Sequence, residues 1–179
     1  EKGAFDNLDI TENNVLPEGS GVYMDWTDAY KEARAMLYGS RKTKQNIPEG
    51  TARMLDEAEK GNALAMFEMG KAELKGIGEK INESEAHSWF RQAYEAFLAE
   101  EEKGEKTQPY LQFCIGSMYS RGWGVEQDYT QAYKWLSEAA EKDNPFAQFA
   151  LGSLYYYGNG TEQNYEKAYE WYEKSIHHK

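Results

Sequence analysis

The chain has 179 residues, enough for a domain with a buried core. It carries 31 Asp+Glu against 20 Lys+Arg, a net charge of −11, so direct nucleic-acid binding is disfavoured while a basic protein partner is not. A lone cysteine, Cys114, excludes an intrachain disulfide and a cysteine-cluster zinc site, and no apolar run reaches the length of a membrane span.

Residues 1–21, with ENNVLPEGSG, show no helical apolar period and read as a flexible leader. No signal peptide is visible, which makes the cytoplasm the default location. The next segment, 22–61, holds DAYKEARAMLYGSRKTKQNIPEGTARMLDEAEKGN, a loose helical hairpin. Its ending EAEKGN reappears as AAEKDN, with Asn62 and Asn144 82 positions apart.

The last two segments, 108–143 and 144–179, are copies of one another. Setting Pro109–Asp143 over Pro145–Lys179 at an offset of 36 gives fourteen identities in 35 positions. They include Gln112/Gln148, Phe113/Phe149, Gly116/Gly152, Tyr119/Tyr155, Gly122/Gly158, Gly124/Gly160, Tyr129/Tyr165, Ala132/Ala168 and Trp135/Trp171. An earlier copy occupies 62–107, where Phe67, Gly70, Gly76, Gly78, Ala86 and Trp89 precede their counterparts by 46. Its 10 extra residues fall after Ala93, which predicts a lengthened second helix and a longer loop. A period of this size is the signature of a stacked repeat.

Each copy reads as two helices. In 145–157 the apolar residues recur at helical spacing, with Asn144 as cap and Pro145 at the first helical position. Asp128 with Gln131, and Asn82 with Glu85, have capping-box spacing for the second helices. Ala132, Trp135, Leu136, Ala139 and Ala140 then form one apolar face. The first glycines of GIG, GWG and GNG fall where a helix ends, and glycine closes a helix in the left-handed conformation. A phosphate-binding loop is not indicated: no strand precedes these glycines and no Gly-Lys-Ser/Thr follows.

The pattern carried by Ala147, Leu151, Gly152, Tyr155, Gly158, Gly160, Tyr165, Ala168 and Trp171 resembles the Sel-1-like repeat family, relatives of tetratricopeptide repeats. The copy at 62–107 departs from it at Glu73 and Glu83, and the 22–61 copy places Gly50 where Ala132 stands. The resemblance implies an all-α fold, a right-handed α-α superhelix of about four Sel-1-like hairpins. A narrower likeness runs from DWTDAYKEARAMLYG through EAEKGNALAM to PYLQFCIGSMYSRGWGVEQDY. This order is similar to the repeat tail of mobilisation relaxases of Gram-positive bacteria, which would make the chain an accessory region and not a nuclease. A terminal repeat normally carries a polar cap, and with the ending YEKSIHHK the native chain is expected to continue.

No catalytic constellation, metal site or cofactor site is predicted. His87 aligns with Tyr133 and Tyr169 and so occupies a scaffold position; His177 and His178 are helix neighbours that do not face one another. Cys114 aligns with Ala150, a small helix position. Carboxylate runs such as AEEEKGEK read as a solvated face. The expected function is therefore protein or peptide binding. In tetratricopeptide-like stacks the first helix of each hairpin lines the concave groove. That likeness implies groove positions for Tyr110, Phe113, Ser117, Arg121, Phe146, Phe149, Ser153, Tyr156 and Tyr157, with Lys71 and Lys75 further along. Tyr156 and Tyr157 replace Ser120 and Arg121 of the preceding copy. They are either recognition residues or the packing surface for a following repeat.

Overall fold

The computed structural model describes residues 24–77, 80–104 and 108–177. The leader expected over 1–21 lies outside these residues. Among them are eight α-helices and no strand. They are α1 (Asp28–Tyr38), α2 (Ile47–Glu59), α3 (Ala63–Lys75), α4 (Glu83–Glu102), α5 (Pro109–Arg121), α6 (Tyr129–Glu141), α7 (Pro145–Tyr157) and α8 (Tyr165–Ile176).

Local chemistry sets the helix ends. The side-chain oxygens of Thr27, Asn46, Asn62, Asp128, Asn144 and Asn164 each accept a backbone N–H from the first turn of the helix that follows. Asn82 does the same for Glu85. Asp128 forms only half of a capping box: its own backbone N–H goes to Tyr119 O at 2.9 Å, not to Gln131. Asn164 repeats this on Tyr155 and Asn82 on Glu73, so the second helix of each of these hairpins is tied to a carbonyl of the first. Helices α3, α5 and α7 close on Gly76, Gly122 and Gly158 at φ of 65°, 69° and 67°, the left-handed C-cap. Helix α4 runs for 20 residues against 13 in α6, so most of the insertion extends a helix.

The chain divides into two compact units, Glu1–Ala96 and Phe97–Lys179, with α4 running from the first into the second. In the first, α1 packs on α2 and α2 on α3, around buried Tyr30, Ala33, Met54, Leu64 and Phe67. Gly50 lets α2 approach α1 closely: a β-carbon there would lie 2.8 Å from the backbone nitrogen of Leu37. In the second unit α5 pairs with α6, α7 with α8, and α7 also packs on both α6 and α5. Its core is formed by Ala132, Leu136, Ala139, Ala140, Ala147, Leu151, Leu154, Tyr155 and Ala168.

One steric device recurs. A β-carbon on Gly70 would lie 2.7 Å from the Phe90 ring, on Gly116 2.7 Å from Leu136 Cγ, and on Gly152 2.8 Å from Tyr172 Cδ1. In each pair the bulky residue follows the glycine by 20 positions. The missing side chain in the first helix makes the hole that the second helix fills.

Candidate protein-interaction surface

Because the first helix of each hairpin presents a fixed set of positions, each expected groove residue can be followed along it. Two do not line an open surface. Tyr110 and Phe146, each the second residue of its helix, are only 6% exposed. They belong to an aromatic run in which the Phe113 ring lies 6.2 Å from Tyr110 and 5.4 Å from Phe146. This correction has a packing cause. The contact between α5 and α7 is made by these rings, so Phe146 is used to join one hairpin to the next.

Phe113, Ser117, Phe149 and Ser153 are half-buried. Phe149 packs on Tyr172 at 5.0 Å, and Ser153 accepts the Tyr172 hydroxyl at 3.1 Å while donating to Phe149 O at 3.2 Å. Arg121 is exposed, with its guanidinium 4.9 Å from the Trp123 ring. Tyr156 and Tyr157 are 37% and 67% exposed. Their rings meet edge to face at 5.0 Å, and Tyr156 meets Tyr165 at 5.1 Å. Gln163 fixes that corner by donating to Tyr156 O and to the Tyr165 hydroxyl, both at 2.9 Å.

In the first unit Lys75 is exposed, but Lys71 is engaged inside the fold. Its ammonium lies 2.8 Å from a carboxylate oxygen of Glu68 and over the rings of Phe67 and Tyr38 at 5.0 and 5.9 Å. Glu68 is 1% exposed. Arg34 lies 3.8 Å from the same oxygen, and the Tyr38 hydroxyl donates to the other. Burial is the largest influence on Glu68 and pushes its pKa up, but the charges of Lys71 and Arg34 and the hydrogen bonds of Lys71 and Tyr38 together hold it below the usual carboxylate value. Glu68 stands where the later copies have Cys114 and Ala150. A charge at a small apolar repeat position is the sequence signal for this cluster. Cys114 itself is buried.

The position shared by Lys75, Arg121 and Tyr157, last in its helix, is exposed in all three copies. Arg121 is exposed even though another hairpin follows it. Exposure of Tyr157 is thus a property of the position. Tyr165 and Tyr169 differ: they are 53% and 66% exposed, whereas their equivalents Tyr129 and Tyr133 are half-buried. The Tyr133 hydroxyl bonds that of Tyr155 at 2.8 Å, and a β-carbon on Gly160 would lie 2.2 Å from Tyr129 O. Sequence comparison could not separate these identical residues. His87 is exposed on α4, and no group of three or more His, Cys, Asp or Glu among the described residues is placed to hold a metal ion.

The profile of the Sel1 repeat matches residues 63–96, 110–144 and 145–178, more than half of the chain. The chain belongs to the Sel1 repeat family. The hairpin of α1 and α2 lies outside the matched residues. Two solved structures are similar. One is a protective antigen present in uropathogenic Escherichia coli strains that displays an SLR fold, with 26% identity and a TM-score of 0.53 over 83% of this chain. The other is a Sel1 repeat protein from Oxalobacter formigenes, with 24% identity and a TM-score of 0.56 over 83% of this chain. The chain spans 29% and 56% of the lengths of these two proteins. A comparison with curated protein sequences gave no match. The fold is therefore an all-α Sel1 helical repeat. Sel1 repeats generally mediate protein–protein interaction and are typically not catalytic. No helix among the described residues is long and apolar enough to cross a membrane.

Proposed function

We propose that the chain is a non-catalytic adaptor that binds a peptide or protein segment along the first helices of its hairpins. The observation that carries this reading is the exposed final position of those helices. It holds Lys75, Arg121 and Tyr157 in successive copies, so its chemistry changes while the packing glycines beside it stay the same. Variation at an exposed position on a constant frame suits recognition. In the second unit, Tyr156 and Tyr157 act as aromatic anchors and Arg121 pairs with an acidic group. Phe113, Ser117, Phe149 and Ser153 form the adjoining wall, with Tyr110 and Phe146 behind it. In the first unit Lys75 offers the corresponding cation, and Lys71 supports the surface through Glu68 and Tyr38.

Crosslinking capture from host lysate tests this. The wild type is compared with an Arg121→Ala, Tyr157→Ala variant whose melting temperature is unchanged. A partner captured by the wild type and lost by the variant supports the reading; equal capture by both overturns it. The segment order similar to relaxase repeat tails supports a second reading, an accessory region of a DNA-mobilisation protein. It requires the captured partner to belong to a DNA-nicking assembly, and a partner from any other process removes it.

A further inference from the structure

The loop between α1 and α2, residues 39–46, departs from the charge pattern of the chain. It carries Arg41, Lys42 and Lys44 and no acidic residue, on a chain of net charge −11. The corresponding loops of the last two hairpins are acidic: 122–128 holds Glu126 and Asp128, and 158–164 holds Glu162. In 76–82 Lys80 is balanced by Glu79.

The backbone frame beneath these charges is shared. Gln45 donates its side-chain amide to Leu37 O at 2.9 Å, as Gln127 does to Ser120 O at 2.8 Å and Gln163 to Tyr156 O at 2.9 Å. The Asn46 N–H goes to Met36 O at 2.8 Å, the counterpart of Asp128 on Tyr119 and Asn164 on Tyr155. The first loop is one residue longer than these two. A turn at Ser40 takes up the difference: its hydroxyl accepts the backbone N–H groups of Lys42 and Thr43 at 3.3 and 3.0 Å, and its own N–H donates to Thr43 O at 2.8 Å. The loop is held at its end and in its middle before any partner arrives. Counted back from the capping residue, Lys44 stands where the later loops have Glu126 and Glu162. The sign of the charge is reversed on a constant frame.

Arg41, Lys42 and Lys44 are all exposed. Exposure belongs to this position in the repeat, since Glu126 is exposed too, in a hairpin with others before and after it in the chain. Other cations of the first unit are engaged: Lys31 with Asp28, Arg34 and Lys71 with Glu68, Lys60 with Asp56. Glu32 and Glu49, the nearest carboxylates in sequence on either side of the loop, are both taken by Arg53, at 3.1 and 2.8 Å. No ion pair joins the three loop cations to a carboxylate among the described residues. Three like charges within four residues repel one another, and an anion set among them relieves that repulsion. Beside them Lys44, Gln45, Asn46, Ile47 and Pro48 line an open recess, whose last two residues add apolar contact.

We propose that the loop 39–46 binds an acidic segment of a partner protein, a run of aspartate or glutamate laid across Arg41, Lys42 and Lys44. This deepens the adaptor reading and rests on it, but it uses the edge of the first hairpin and adds the chemistry of the partner. A preformed loop does not lose further conformational freedom on binding, and complementary charge sets the choice of partner. A nucleic acid is the poorer occupant. Its backbone extends past three cations and meets a chain that is negative elsewhere.

The test uses the whole chain and two labelled synthetic peptides of about 12 residues, long enough to cross the loop when extended. One alternates glutamate with serine; the other has glutamine for each glutamate. An oligothymidylate of matched charge is the third probe. Fluorescence anisotropy at about 0.05 M salt, where screening is weak, is expected to show binding of the glutamate peptide. The glutamine peptide should bind at least about tenfold more weakly, the size expected from three exposed charge pairs. Arg41→Gln, Lys42→Gln and Lys44→Gln together should weaken the glutamate peptide by about the same factor. The same change of charge at Lys31, Lys60 and Lys103, which already have carboxylate partners, should leave its affinity unchanged. Both variants should melt as the wild type does. Equal losses in the two variants, equal binding of both peptides, no binding, or tighter binding of the oligothymidylate overturns the proposal. If it fails while the Arg121→Ala, Tyr157→Ala variant still loses its lysate partner, the adaptor reading stands without this loop. If the lysate partner survives that variant but the glutamate peptide binds through the loop as expected, the first-helix surface is the part that fails.

Discussion

Gly116 and Leu136 share one space: a β-carbon on the glycine would sit 2.7 Å from Leu136 Cγ. The contact brings α5 and α6 together at the centre of their hairpin, and its counterparts at Gly70/Phe90 and Gly152/Tyr172 show that the hairpins share one packing solution. Replacing Gly116 by leucine adds volume where none is available. Destabilisation of about 1–3 kcal/mol or more is expected, a fall in melting temperature of roughly 2–4 °C for each kcal/mol in a chain of this size. Thermal unfolding followed by circular dichroism reads it. A melting temperature equal to wild type would mean that this hairpin does not pack through Gly116.

A second glycine tests packing between hairpins. Gly160 has φ of 72°, and its β-carbon would meet the Tyr129 carbonyl at 2.2 Å. Gly61 also has positive φ, at 96°, but has nothing within 4 Å of the corresponding point. Alanine at either site incurs the left-handed backbone penalty of about 1–2 kcal/mol. Only Gly160→Ala also pushes α6 away from the loop after α7. Urea unfolding should therefore rank Gly160→Ala as the more damaging, and equal losses would remove the contact as a source of stability.

The Glu68 cluster gives a pH dependence with a definite sign. The folded-state pKa of Glu68 is held below its ordinary value of 4.5, so the folded form binds its proton less readily than the unfolded form. The contribution is complete above the unfolded value and is lost as pH falls from about 4.5 through the lowered folded value. Glu68→Gln should flatten this part of the stability profile. It should also destabilise the protein at neutral pH by about 3–5 kcal/mol, since Arg34 and Lys71 lose their buried counter-charge. A variant profile with the same acid limb as wild type would show that other carboxylates produce it.

Tyr155 offers a spectroscopic readout of the hairpin junction. Burial, with the hydrogen bond to Tyr133, pushes its pKa up to about 12. A raised tyrosine value means stability that is present below the unfolded value of about 10 and lost as pH climbs towards 12. Ultraviolet titration of phenolate should show late-ionising tyrosines, Tyr155 among them, since burial also raises Tyr172, and Tyr133→Phe should move the Tyr155 step to lower pH. If no late step is affected by Tyr133→Phe, the two hydroxyls are not coupled.

The sequence by itself determined the all-α class, the 36-residue period, most helix ends and the lengthened helix after Ala93. These follow from local rules. A glycine that must turn left-handed, an asparagine that caps, and an apolar residue every third or fourth position act within a few residues of themselves. Gly116 with Gly152 and Ala132 with Ala168 stand out in the sequence as small residues that recur, although the side chains packed against them do not. Only the tertiary structure decided which identical tyrosines are covered. Tyr129 and Tyr165 hold the same position in their repeats, but α7 and its following loop lie against the first, while the second is more than half exposed. It also moved Tyr110 and Phe146 inside and tied Lys71 to Glu68. Each of these depends on which helix lies alongside, and burial is a property of the neighbour as much as of the residue.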